Sequence, residues 1–224
     1  MKTNRVLALA ALLLGSLLGT SQTASGAALT VNGIGLGSYP VPLLTNHGSG
    51  LAPENAYVVQ ILITLNGSAA TAFCLDLFTN IGLQNYNALY GSPADYINGN
   101  RAAWVVDTYT PGLDTNAEAA ALQLALWDII HDNGDGLTAG SIQLVATGWE
   151  TLVADTQAIV TASLGQSSTN ATILYTTALN GTPAQTLITR GVLVDVPEPA
   201  TWALLAAGGA FIAAHRRPSS AKKV

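Results

Sequence analysis

The chain has 224 residues, 49% of them hydrophobic, and a formal net charge of −5 at pH 7. Residues 29–195, here called the body, hold two basic residues, Arg101 and Arg190, against twelve acidic ones, and no lysine. This excess of acidic residues excludes nucleic acid as a partner, because proteins bind phosphate backbones through clusters of Lys and Arg. The length of the body suits one domain with its own hydrophobic core.

The first 28 residues have the layout of a secretory signal peptide. Lys2 and Arg5 form a basic start, and an apolar run rich in Leu and Ala covers residues 6–19. Small residues follow as far as Ala27 and Ala28, after which we expect cleavage. A buried core helix would not open a chain in this way. The sequence therefore predicts an exported protein.

The body mixes strand and helix signals. Apolar runs and turn signals predict strands at residues 57–65, 70–78, 171–179 and 185–196. The 3.6-residue period predicts helices at residues 116–132 and 149–164. The Gly- and Pro-rich stretch 29–56 predicts irregular or edge structure. We expect an α+β fold, with an antiparallel β-rich body (barrel or sandwich) and an inserted pair of helices.

Cys74 is the one cysteine of a protein that leaves the cytoplasm. It has no internal disulfide partner, which indicates intermolecular pairing or a thiol kept for chemistry. Alternation along the predicted strand places it on one face with Asp76 and Phe78. The competing interpretation is a buried cysteine that packs as a small hydrophobic side chain.

Gln123 lies in the middle of the apolar face of the first predicted helix, which begins with the capping box of Thr115 and Glu118. Asp128 falls on the opposite side of that helix. A buried carboxamide costs about 1–3 kcal/mol unless its polar atoms are bonded. Two explanations are open: Gln123 is bonded to loop backbone, or it has reacted with Cys74, expelling ammonia and leaving an internal thioester.

A thioester needs a site that excludes water and has no competing amine nearby. Phe73 and Trp127 are the candidate shielding side chains, and the absence of lysine from the body limits self-aminolysis. His131 follows Trp127 by one helical turn and is a candidate for assisting proton transfer to an attacking amine. The alternative for His131 is a solvated histidine that complements the helix dipole.

These residues lie in two segments that resemble a known family. The segments FCLD (residues 73–76) and LQLALW (residues 122–127) are similar to the cysteine and glutamine motifs of the Cys–Gln thioester domains of bacterial surface adhesins. Leu122 stands where that family usually has Thr. The resemblance implies a β-rich fold with a helical insertion. It also implies covalent adhesion, in which an amine on a target is acylated by the glutamine and the thiol is released.

Residues 196–224 form a second recognisable segment. It consists of a VPEP motif, an apolar run over residues 201–214 and a basic end, and its marker residues are Val196, Pro197, Glu198, Pro199, Arg216 and Arg217. This order resembles the PEP-CTERM sorting signal, which an exosortase reads. The run is shorter than the ~20 residues that span a bilayer comfortably. The resemblance implies a surface or matrix protein held transiently by a membrane helix, and an ordinary anchor with a cytoplasmic end is the alternative.

Three functions are open for the body. The favoured one is a covalent adhesin that joins to amines on a target through Cys74 and Gln123. The second is a passive matrix or envelope protein in which both residues only pack. The third, which we expect least, is an enzyme with a Cys74 nucleophile and His131, because apolar surroundings suppress the thiolate.

No metal site and no cofactor are predicted. Residues 132–136, DNGDG, have some calcium-loop character but lack the spacing and the closing Glu of an EF-hand. We expect them to form the turn that ends the first predicted helix.

Overall fold

The computed structural model describes residues 26–37, 39–46, 48–144 and 147–191. The predicted signal sequence up to residue 25 and the predicted sorting tail lie outside these residues. Strand β1 begins at Ala27, which is buried and pairs with Ala88. Strand β1 therefore includes Ala27 and Ala28, the residues after which cleavage is predicted, and the boundary at residue 29 stays a prediction.

The described residues form nine strands and three α-helices. The strands are β1 Ala27–Ile34, β2 Tyr39–Asn46, β3 Leu51–Val58, β4 Ile61–Leu65, β5 Ser68–Cys74, β6 Asn85–Gly91, β7 Ile142–Leu144, β8 Ala171–Ala178 and β9 Leu187–Arg190. The helices are α1 Gly99–Tyr109, α2 Asn116–Asp132 and α3 Glu150–Ala162, with short 3-10 turns at Pro93–Asp95 and Thr110–Gly112.

Six of the strands close an antiparallel barrel in the order β1-β4-β5-β9-β8-β6. The others form a second sheet in the order β3-β2-β7. The three helices lie in the chain between β6 and β8, as an insertion among the barrel strands. The prediction of an α+β, β-rich fold is confirmed. Of the two predicted forms of the β-rich body, barrel and sandwich, the structure has the barrel.

Two of the three helices were predicted and one was missed. Helices α2 and α3 match the predicted pair, but α1 has no side-chain cap at its start and begins after Asn98, which is left-handed with φ 52°. The apolar residues Ala102, Ala103 and Val106 do recur at helical spacing, but no capping side chain marks the start of α1, so the prediction passed over it. Packing stabilises it, since Ala102, Ala103, Val105 and Val106 are buried.

The prediction of irregular structure over residues 29–56 is wrong. That stretch holds most of β1, all of β2 and most of β3, of which β3 is an edge strand of the second sheet. Proline is tolerated in β2 because β7 pairs only with Leu43, Leu44 and Thr45. Pro40 and Pro42 lie beyond that pairing, where a missing N–H costs least.

The two predicted strands that flank the Asn66-Gly67 turn have different ends from those expected. The run 57–65 is divided, since its first residues finish β3 and its last five form β4. The run 70–78 ends early, at Cys74, because the Asp76 carboxylate accepts hydrogen bonds from the Phe78 N–H and the Thr79 hydroxyl. That turn ends the ladder, so Cys74 is the last residue of β5.

Helix α2 lies inside the domain and is buried on every side. Its capping box is present as predicted: the Glu118 N–H donates to Thr115 Oγ1 and the Thr115 N–H donates to Glu118 Oε2. All its residues from Ala119 to Ile130 are buried, including Asp128, which the sequence placed on the side away from the core. The opposite side is covered because α3 packs there, with the Thr156 hydroxyl 3.5 Å from the Ala121 carbonyl.

Candidate functional site

The structure brings Gln123 and Cys74 together. The Cys74 N–H donates to Gln123 Oε1 at 2.9 Å, and Gln123 Nε2 donates to the Cys74 carbonyl oxygen at 2.7 Å. Gln123 has no exposed surface, and Cys74 is 4% exposed. The glutamine side chain therefore reaches from the central helix to the backbone of the one cysteine.

The contact between Gln123 and Cys74 lies where the hydrogen-bond ladder between β4 and β5 ends. Strand β4 pairs with β5 only as far as Ile61 and Ala72, so the backbone of Cys74 has no β4 neighbour. A side-chain carboxamide presents the same donor and acceptor as a peptide group. Gln123 thus takes the place of the next residue of β4 and satisfies two buried groups that would otherwise be orphaned.

The Cys74 thiol is held in its protonated form. Burial raises the pKa of Cys74 far above its ordinary value, and the nearby Asp76 carboxylate raises it further. A thiol in this state is a poor free nucleophile toward an external substrate, because the thiolate is the reactive species.

A pocket of about 290 Å³ opens beside this pair. Cys74 and Trp127 both line it, as does Gln185, whose Nε2 donates to the Asp76 carbonyl oxygen at 2.6 Å. Trp127 is 2% exposed, and its Nε1 has no hydrogen-bond partner. A buried donor without an acceptor costs about 1–3 kcal/mol, so this indole N–H requires an explanation.

The two predicted shielding residues differ in position. Trp127 lines the same pocket as Cys74. Phe73 is buried, but adjacent residues of a strand point to opposite faces, so its side chain lies on the other face of β5 from Cys74. Of the two, Trp127 is the one that shares a pocket with Cys74, and shielding of the thiol by it stays a prediction.

His131 lies at the end of α2, next to the turn after β5. Its Nε2 is 3.1 Å from the Leu75 carbonyl oxygen, and its ring meets the Phe78 ring edge-on with 5.1 Å between centroids. The ring is half-buried rather than solvated, and burial lowers the pKa of His131. His131 is not among the residues found to line the pocket, so its assistance to an attacking amine stays a prediction.

A second group of polar side chains lies at the C-terminal end of α2. Side-chain oxygens of Asp128, Asp132 and Asp135 lie within 4.8 Å of one another. Asp128 accepts from the Gly136 N–H at 3.2 Å, and Asp132 accepts from two backbone N–H groups at 2.9 and 2.8 Å. These hydrogen bonds stabilise the turn that the sequence predicted. The turn begins at Asn133, which is in the left-handed conformation with φ 58°.

Asp128 gives a testable pH dependence. Burial raises its pKa to about 6, with the neighbouring carboxylates adding to the effect. The folded protein then binds a proton more tightly than the unfolded chain, whose Asp pKa is about 4. The free energy of unfolding should therefore rise as the pH falls from about 7 to about 4, by roughly 1–2 kcal/mol from this group after solvent screening.

Urea unfolding of the wild type and of Asp128→Asn measures this contribution. We expect the wild type to gain stability relative to the variant on acidification, since asparagine does not titrate in this range. Asp155→Asn, at an exposed position on α3, is the control and should follow the wild type. Parallel pH profiles for the wild type and Asp128→Asn would contradict the expectation.

Comparison with known proteins bears on the end of the chain. A PEP-CTERM protein-sorting motif matches residues 195–217, which confirms the sorting signal predicted from Val196–Pro199 and the Arg216–Arg217 pair. The motif implies an exported, cell-surface protein that an exosortase sorts. No curated protein and no solved structure matches the chain. The resemblance of the body to thioester domains therefore stays a prediction.

Within the part of the chain that the structure describes, no helix is long and apolar enough to cross a membrane. The predicted membrane helix at residues 201–214 lies outside that part.

Sequence reasoning missed two features of the site. Gln185 is the first residue of the strand predicted at 185–196, whereas β9 begins at Leu187, and a strand pattern does not show which strands pair, so nothing marked Gln185 as a residue near Cys74. The unpaired Trp127 N–H was also missed, because a sequence does not show which donors find acceptors. The signals that led to the site were the position of Gln123 on an apolar face and the single cysteine, Cys74.

Proposed function

We propose that this exported surface protein is a covalent adhesin whose Cys74 and Gln123 form an internal thioester that acylates an amine on a target. The carrying observation is the two-bond contact between the Gln123 carboxamide and the backbone of Cys74, at 2.9 and 2.7 Å, inside the core. The resemblance of both segments to thioester domains supports the same proposal. Its site of action is the cell surface or the extracellular matrix.

The chemistry of thioester formation balances within the pair. Cys74 Sγ bonds to Gln123 Cδ, the bond from Cδ to Nε2 breaks, and the thiol proton moves to the nitrogen, which leaves as ammonia. The Cys74 N–H that already bonds Oε1 is placed to stabilise negative charge on that oxygen during the attack.

Reaction with a target reverses the exchange. The amine nitrogen bonds to Cδ, the bond from Cδ to Sγ breaks, and Sγ takes a proton from the amine. The target is then held by an amide bond, and Cys74 is again a free thiol. The buried position of both residues limits hydrolysis before that encounter.

A second candidate is favoured by the same contact. Because both polar atoms of the Gln123 carboxamide are bonded, its burial needs no reaction to explain it. On this reading the protein is a passive matrix or envelope component, and the pair joins α2 to β5. The two candidates predict different covalent states.

Intact mass distinguishes them. We expect the purified exported protein to be lighter, by one ammonia, than the mass calculated from its own termini, and to resist thiol alkylation in its native state. Methylamine should add its whole mass to the thioester form, giving the calculated mass minus ammonia plus methylamine, and should expose Cys74 to alkylation. Cys74→Ala, processed by the same host, should show its calculated mass. A wild-type protein of calculated mass with a readily alkylated Cys74 would refute the thioester and leave the passive role.

A further inference from the structure

Strand β3 has an unpaired edge. Among the described residues, β2 alone pairs with it, since it is the outer strand of the β3-β2-β7 sheet. Three alternate pairs of that ladder contain a proline: Pro40 with Tyr57, Pro42 with Asn55, and Leu44 with Pro53. Antiparallel pairs alternate between hydrogen-bonded and non-hydrogen-bonded, and proline has no N–H, so these are the non-hydrogen-bonded pairs. The backbone N–H and C=O groups of Asn55 and Tyr57 therefore point away from β2.

The pocket beside Cys74 lies along this edge. Four consecutive residues of β3, residues 54–57, line it, although adjacent side chains of a strand point to opposite faces. A pocket that touches all four lies against the edge of the strand. Within the described part of the chain, Asn55 and Tyr57 make no hydrogen bond across this edge, so their outward groups are available to an added strand. Pro53 holds the next outward position and offers no N–H, which limits the open edge to residues 55–57.

The rest of the pocket lining is mostly apolar. Ile34 at the end of β1 and Ile81 and Leu83 in the loop before β6 contribute to it, and Ile34 and Leu83 are 49% and 70% exposed. The volume of about 290 Å³ is at the lower limit of ligand pockets, which hold about 300–1,000 Å³, so it suits one large side chain. Sites that bind an added strand combine these features: the backbone edge gives affinity, and a pocket for alternate side chains gives specificity.

Charge indicates the kind of partner. Glu54 is the charged residue of the pocket lining. The described residues include eleven carboxylates and two arginines. Arg190 is paired with Asp107, and Arg101 donates to Ser163 and to two backbone carbonyls. A second copy of this chain would bring like charge to the edge, whereas a cationic segment of another protein is attracted to it.

We propose that this pocket, here called the β3 groove and lined by residues 54–57 and 80–83, binds an extended segment of a partner protein as an added strand. The backbone of that segment exchanges hydrogen bonds with Asn55 and Tyr57. One large apolar side chain fills the groove, and flanking Lys or Arg lie near Glu54. The binding is reversible and does not depend on the thioester, so it is tested separately from the proposed function.

The first test uses a fluorescein-labelled peptide, KTVFVTK, and measures its affinity for the full exported protein by fluorescence anisotropy. We expect saturable binding. Replacing the phenylalanine by alanine should weaken it by about 10- to 100-fold, because the side chain proposed for the groove is lost. Replacing both lysines by glutamate should weaken it further at low salt than at high salt. A peptide that does not bind at millimolar concentration, or that binds equally well without its phenylalanine, would overturn the proposal.

Backbone N-methylation of the peptide tests strand addition on the wild-type protein. Each N-methyl group removes one N–H donor, and only alternate N–H groups of an added strand face β3. We expect affinity to fall by about 3- to 10-fold at every second position and to change by less than about 2-fold at the positions between them. Equal effects at neighbouring positions would mean that the peptide does not bind as a strand.

Variants place the strand on β3. Asn55→Pro removes an outward N–H without changing the ladder with β2, as Pro53 already does, and should weaken binding by at least about 3-fold. Leu51→Pro, an outward position of the same strand outside the groove, should bind as the wild type does. Equal affinity of wild type and Asn55→Pro contradicts the proposal, and the N-methyl series decides should Asn55→Pro fail to fold.

Two further measurements complete the test. Leu83→Ala should weaken binding by about 3- to 10-fold, whereas Leu179→Ala, at a similarly exposed leucine outside the groove, should not. Light scattering of the protein without peptide should show a monomer. A dimer that forms with rising concentration and is lost in Asn55→Pro would overturn the proposal by assigning the edge of β3 to a second copy of this chain.

Discussion

Adding Gln123→Ala to a Cys74→Ala protein is expected to lower the free energy of unfolding by about 2–4 kcal/mol. No thioester forms in the Cys74→Ala background, so Gln123 acts there only through its two hydrogen bonds to the backbone of residue 74. Its removal leaves a buried N–H and a buried carbonyl without partners, in a place where β4 does not reach. Urea unfolding of the single and double variants measures the difference.

The matched control is Gln185→Ala in the same background. Gln185 is also a nearly buried glutamine, but its side chain donates one bond, to the Asp76 carbonyl oxygen at 2.6 Å. We expect its loss to cost about 1 kcal/mol, clearly less than the loss of Gln123. An equal loss of unfolding free energy for the two glutamines would mean that the contact between Gln123 and Cys74 stabilises the fold no more than a single hydrogen bond does.

The second large effect concerns location. Truncation before Val196 is expected to release the protein into the medium or periplasm, because it removes all but the first residue of the PEP-CTERM motif matched at residues 195–217. In a host with an exosortase, the full chain should end near residues 197–200 after processing. Proline fixes φ and lacks an N–H, so we expect the VPEP segment to be extended and open to the processing enzyme.

Cell fractionation and C-terminal mass spectrometry measure these outcomes. The control is the full chain expressed in the same host without its exosortase, where the basic residues Arg216 and Arg217 should remain on the protein. Surface protein that keeps Val224 in the presence of the exosortase would support a plain membrane anchor instead of a processed signal.

The sequence was most informative where a residue contradicted its surroundings. The position of Gln123 on an apolar face and the single cysteine predicted that the two segments meet, and the Gln123 carboxamide is hydrogen-bonded to the backbone of Cys74. Of the two explanations open for Gln123, this contact is a bond to backbone, and the thioester stays a prediction. Helix α2 was also predictable because its capping box is local: Thr115 and Glu118 are three residues apart. Local signals of this kind need no knowledge of the fold.

Features that depend on long-range pairing were not predictable. Residues 57–65 read as one strand, yet they divide between two sheets because Gln60 bonds across to residues 35 and 36 at that point. The Gly and Pro content of residues 29–56 predicted irregular structure. The strand β2 forms there nevertheless, because β7 is short and does not pair with the part of β2 that holds the prolines. The burial of Asp128 likewise depends on α3 covering a face that helical periodicity assigned to solvent.

The order of the barrel strands has a mechanical consequence. Strand β9 is the last described strand before the sorting segment, and it pairs directly with β5, where Leu187 is opposite Cys74. A target joined at Gln123 would pull on α2, and a cell that holds the chain beyond β9 would pull on the strand next to β5. The shortest path of noncovalent contacts between these two points is the hydrogen-bonded contact of Gln123 with the Cys74 backbone and the three residue pairs that join β5 to β9.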